Sequence, residues 1–112
     1  MSDSQLWVAP SFVAMYVRPG KVKPDLDAAS LYQRYEHCED LSQLLVDMAG
    51  QMQANLGIDA SDVLARVGIG LAQPGPASLP AAEQRWVLCR LAELMGWPLP
   101  AWPEAGQAVL SA

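Results

Sequence analysis

The sequence predicts an all-α fold: a compact bundle of four to five helices with an extended Trp/Pro-rich C-terminal tail. Apolar residues recur at three- and four-residue spacing over residues 25–56, 59–71 and 79–95, the period of a helix face. Gly and Pro gather between those stretches, where they end helices and open turns. No stretch of any strength alternates as a half-buried strand does. The 112 residues suit one helical domain spanning residues 1–112, with residues 1–9 as an N-terminal arm and 97–112 as the tail.

Taken in order, Leu6, Trp7 and Val8 give the arm something to dock. Pro10 fits the first turn of a helix, where its missing N–H costs nothing. A short helix over residues 11–17 is expected next, stopped by Arg18-Pro19-Gly20; Phe12, Val13, Tyr16 and Val17 would also suit a strand. Residues 25–56 then carry two apolar stripes: Ala28, Leu31, Tyr32 and Tyr35, followed by Leu41, Leu44, Leu45, Met48 and Met52. At the helical angular step these are out of phase by about a quarter turn, so one straight helix cannot bury both against one partner. Ser30-Leu31-Tyr32-Gln33 and Asp40-Leu41-Ser42-Gln43 each have the form of a capping box. The expectation is two helices meeting at residues 37–40, with Cys38 buried at the joint.

Gly57 is a natural left-handed cap and Asp59 a natural N-cap for the next helix, whose apolar face is Val63, Leu64, Val67 and Leu71. Gly68 and Gly70 read as packing or helix-ending positions. Ser78 is expected to cap the last helix, with Pro80 in its first turn and Val87, Leu88, Leu91 and Leu94 inward. Gly96 should end it, with Trp97 turning back in a Schellman motif.

Composition excludes several functions. A net charge of −5 argues against nucleic acid as a ligand, since phosphate binding needs clustered Lys and Arg. The one basic cluster, Arg18, Lys21 and Lys23, falls on a turn. No run reaches the length of a membrane span, and Asp3 and Pro10 do not suit a signal peptide; a cytoplasmic chain that binds no membrane is expected. The chain is 52% hydrophobic and 17% charged, which leaves apolar surface for a protein partner or for self-association.

Chemistry concentrates in Glu36-His37-Cys38-Glu39-Asp40, which holds the single His and one of the two Cys. A thiolate at Cys38 activated by His37 is the catalytic alternative. Adjacent helical positions point about 100° apart, however, so the two do not face each other. The same spacing gives no metal site, and none is expected. Gly68-Ile69-Gly70 lacks the rest of a dinucleotide fingerprint, no phosphate loop exists, and no cofactor is expected. Phe12, Tyr16, Tyr32 and Tyr35 would line a small-molecule pocket if they were not core. In the tail, Trp97, Pro100, Trp102 and Pro103 are the candidate binding residues, as Trp anchors or a Pro-x-x-Pro ligand.

Pro10-Ser11-Phe12, Arg34-Tyr35-Glu36, Cys38-Glu39-Asp40-Leu41 and Cys89-Arg90-Leu91-Ala92-Glu93-Leu94 through Gly96-Trp97-Pro98 resemble a small group of uncharacterised proteobacterial proteins. Some of these carry the label "ATPase with chaperone activity". The label implies ATP hydrolysis, whereas this chain has no phosphate-binding loop and is too short for an ATPase domain. The resemblance then implies an accessory to a larger ATPase. The expected function is a non-enzymatic protein-interaction module or accessory subunit; the alternative is a thiol-dependent enzyme or redox switch at Cys38.

Overall fold

A computed structural model describes residues 7–76 and 78–100. Four helices make up the fold: α1 (Pro10–Ala14), α2 (Ala28–Leu56), α3 (Ala60–Leu71) and α4 (Ala81–Met95), with no strand among the described residues. The all-α bundle is as expected. Its tail beyond Pro100, with Trp102 and Pro103, lies outside the described residues.

The break expected at residues 37–40 does not exist. α2 runs without interruption through all 29 of its residues, from an Asp27 N-cap whose carboxylate accepts the Ser30 N–H (3.2 Å) to a left-handed Gly57 (φ 64°). Ser30 and Asp40 lie inside the helix and cap nothing. The reason is that the buried seam does not follow hydropathy. It passes through Leu31, Tyr35, Cys38, Ser42, Leu45 and Ala49, alternating steps of four and three, the spacing that keeps one face toward a neighbouring helix. Cys38, Ser42 and Ala49 are fully buried, whereas Leu44 and Met48, placed on the apolar stripe by sequence, are exposed. Small side chains let α4 approach closely, and the Ser42 hydroxyl is satisfied by donating to the Cys38 carbonyl (2.8 Å).

α2 and α4 are the two long struts, and each end of the pair is closed by a different element. Toward one end, α3 inserts Val63, Leu64 and Val67 against Ala49, Leu88 and Leu91. Toward the other, Phe12 of α1 packs with Leu31, Cys38, Trp86 and Val87. One continuous face of α2 thus meets both clusters, and Leu44 and Met48 of the second apolar stripe lie outside it.

Local signals hold at the other boundaries. The Asp59 carboxylate accepts the Asp62 N–H (2.9 Å) at the start of α3. Gly96 (φ 74°) ends α4, and the Trp97 N–H donates to the Ala92 carbonyl (2.8 Å), the expected Schellman closure. Two expectations need correction. α1 is shorter than residues 11–17, turning after Ala14. Ser78 does not cap α4, whose N-cap is Pro80 with no side-chain cap.

Candidate functional site

Among the described residues, one charged group is buried in the core. Glu83, in the first turn of α4, is 1% exposed, facing the seam of α2. Four donors converge on its carboxylate. Arg34 donates from two nitrogens, with Nε at 3.1 Å; Tyr16 donates its hydroxyl, and the Cys38 thiol lies 3.6 Å from Oε1. Burial by itself pushes the carboxyl up. The hydrogen bonds from Arg34 and Tyr16, the Arg34 charge and the thiol together outweigh it, leaving Glu83 below the usual carboxylate range. A second pair, Glu39 and Arg90, links α2 to α4 with contacts of 2.8 and 3.0 Å. Arg90 and Gln43 hold Glu39 below its ordinary range, against an opposing push from burial.

Four protein donors meet the Glu83 carboxylate, so it reads as a cross-brace between α2, α4 and the segment carrying Tyr16.

Cys38 sits in this brace, buried as expected. Burial first, then the charge and hydrogen bonding of Glu83, push its thiol up to about 12. The thiol is therefore held protonated near neutral pH, and the thiolate is the reactive form. His37 faces solvent from the adjacent position, and no His37–Cys38 contact exists. Timed alkylation of the folded protein near pH 7 should therefore leave Cys38 unmodified while Cys89, half-buried and lining a surface hollow, reacts. Rapid labelling of Cys38 without unfolding would contradict this placement. Among the described residues, no three His, Cys, Asp or Glu side chains group so as to hold a metal ion.

The aromatic residues near α1 are packing, not a pocket. The Phe12 ring meets Trp86 edge-on (centroids 5.2 Å apart) and Tyr35 at 5.6 Å, and Trp86 Nε1 donates to Ser11 Oγ (2.9 Å). Tyr32 stands apart from them, bonded to Glu36 (3.0 Å).

The open concavity lies elsewhere. Residues of α3 and α4 line a groove of about 760 Å³, within the size range of ligand pockets, roughly 300–1,000 Å³. From α3 come Leu64, Ala65, Gly68 and Ile69; from α4, Ala81, Gln84, Arg85 and Leu88. Pro98, Leu99 and Pro100 form a further part of the lining. Gly68 lets the α3 backbone pack close to Leu88, since a Cβ there would come within 3.3 Å of Leu88 Cδ1. Ile69 and Leu99 stay more than half exposed beside it. A smaller hollow of about 360 Å³ shares Arg85 and Leu99 and includes Cys89.

Of the tail residues singled out by sequence, Trp97 is half-buried against the core of α2, α3 and α4, so it is mainly structural. Pro100 lines the groove, while Trp102 and Pro103 lie outside the described residues. Sequence reasoning missed Glu83 and the groove. The signal for the groove in the sequence is the spacing of small residues along α3, Ala60, Ala65 and Gly68.

No protein-family model, curated protein or solved structure matches the chain. The fold and groove therefore define its class directly: a small helical module with a polar brace inside and an apolar groove outside. No helix among the described residues is long and apolar enough to cross a membrane.

Proposed function

We propose that this chain is a non-enzymatic protein-interaction module whose α3/α4 groove receives an apolar segment of a partner protein. The observation that carries the reading is the groove itself, walled by Ala, Gly and Leu and edged by the polar groups of Ser61, Gln84 and Arg85. Such a lining suits bulky aliphatic or aromatic side chains, with polar contacts at the margin to fix orientation. The thiol alternative finds no comparable support, because Cys38 is sealed in the core and its thiol is held protonated. A larger ATPase is the partner class implied by the resemblance of the sequence.

The test compares three immobilised baits. Ile69 is 64% exposed at the groove and Leu44 is 74% exposed on α2, so a charge at either leaves the core intact. Ile69→Glu should lose the specifically bound protein by about tenfold or more, and Leu44→Glu should keep it. Equal retention by Ile69→Glu, or no protein held by the wild type above bare resin, would overturn the reading.

A further inference from the structure

We infer that two copies of this chain pair reciprocally, each seating its Lys21-Val22-Lys23 loop on the outer face of α2 of the other. Both surfaces lie apart from the α3/α4 groove and share no residue with its lining.

Two matched surfaces carry this inference. Val22 and Leu44 are the most exposed large apolar side chains among the described residues, at 92% and 74%. Their flanks are opposite in charge. Val22 stands between Lys21 and Lys23, both exposed and the only lysines of a chain whose net charge is −5. Leu44 stands between Asp40 and Asp47, both exposed and both its neighbours on the helix surface. Met48, one turn further on and also exposed, widens the apolar centre. None of these four charges forms an ion pair among the described residues. The spacing also fits. Asp40 and Asp47 are about 10 Å apart along the helix axis. The lysine Cα atoms are at most about 7 Å apart, and their flexible stems spread to cover the difference.

The loop is held in one shape before it docks. Arg18 Nε donates to Asp25 Oδ1 (3.1 Å), the Lys21 N–H to the Arg18 carbonyl (2.9 Å) and the Asp25 N–H to the Tyr16 carbonyl (2.7 Å). Gly20 (φ 82°) makes the turn, and Pro19 and Pro24 restrict the backbone around it. A loop ordered in advance loses little freedom on binding.

The loop cannot reach the α2 face of its own chain. Leu44 lies about 24 Å along α2 from Ala28, its first residue. Val22 is six residues before Ala28, about 20 Å at full extension, and the Arg18–Asp25 pair folds that span shorter. The loop that covers Leu44 therefore comes from a second copy. Used twice about a two-fold axis, the contact closes a dimer and leaves neither surface open. Apolar contact between Val22 and Leu44 supplies attraction, while the flanking charges set the register and make the pairing salt-sensitive.

The experiment is sedimentation equilibrium of the full chain from micromolar to millimolar concentration. The wild type should pass from monomer to dimer, less readily at high salt, and Leu44→Glu should weaken the dimer by about tenfold or more. The sharper arm swaps charges at exposed positions. Lys21→Glu/Lys23→Glu sets an acidic loop against an acidic face, and Asp40→Lys/Asp47→Lys sets a basic loop against a basic face. Each variant, with the helical circular dichroism of the wild type, should stay monomeric alone. Mixed together they should dimerise, because both contacts of the mixed pair are then attractive. A wild type that stays monomeric throughout would overturn the inference. So would a dimer indifferent to Leu44→Glu, or folded charge variants that dimerise alone or fail to pair when mixed. The groove is judged separately, since Leu44→Glu loses the dimer and keeps the groove.

Discussion

Replacing Arg34 with Met should cost about 3 kcal/mol of stability near neutral pH, the lower end of what breaking a buried ion pair costs. The magnitude follows from an asymmetry in burial. Arg34 is 39% exposed, whereas Glu83 is 1% exposed and cannot turn to water when its cation is gone. Removing the other partner is milder. In Glu83→Gln the freed guanidinium rehydrates, and the amide oxygen still accepts from Tyr16, so about 1–2 kcal/mol is expected.

The pH dependence should reverse as well. In the wild type Glu83 has a folded pKa below its unfolded value. Its contribution is complete above the ordinary carboxylate pKa and is lost as pH falls through the lower, folded one. In Arg34→Met only burial and the weaker donors remain, and the folded pKa rises above the unfolded value. The folded variant then binds more protons than the unfolded chain, so this group favours folding at low pH and opposes it as pH climbs. Urea unfolding of both proteins at pH 7 and pH 4.5 should show the gap between them shrinking at the lower pH. A gap that is constant or widens would mean that Glu83 is not held by Arg34.

Phe12→Ala should cost about 3–5 kcal/mol, the range for truncating a fully buried aromatic ring. Phe12 is completely buried among Tyr16, Tyr35 and Trp86. α1 is only five residues long and has no side-chain cap, so ring packing rather than helix propensity holds it in place. The same segment carries Tyr16 to Glu83, which couples the aromatic cluster to the brace. Phe12→Ala and Tyr16→Phe should therefore be less than additive in a double-mutant cycle, because loosening the segment already loses the tyrosine bond. Full additivity would mean that the two contacts are independent.

Three helix ends were legible in the sequence because their caps are local. Asp59, Gly57 and the Gly96-Trp97 closure each depend on residues within one or two turns. The course of α2 was misread because its seam uses Cys38, Ser42 and Ala49, which hydropathy does not rank as core, and leaves Leu44 outside. The run from Glu36 to Asp40 is thus continuous helix, neither a joint nor a miniature active site. Glu83 was invisible for a different reason: its partners Arg34 and Tyr16 are 49 and 67 positions away. The groove is invisible in the same way. Alanines and a glycine on two helices become a concavity only once α3 and α4 are placed side by side.

Whether function resides at the groove or at Cys38 is decided by one head-to-head capture. Ile69→Glu places a charge at the groove and leaves the brace untouched. Cys38→Ser removes the thiol while keeping a donor for Glu83. The groove reading predicts that Ile69→Glu loses the bound partner and Cys38→Ser retains it. Retention by Ile69→Glu together with loss in a folded Cys38→Ser protein would contradict it.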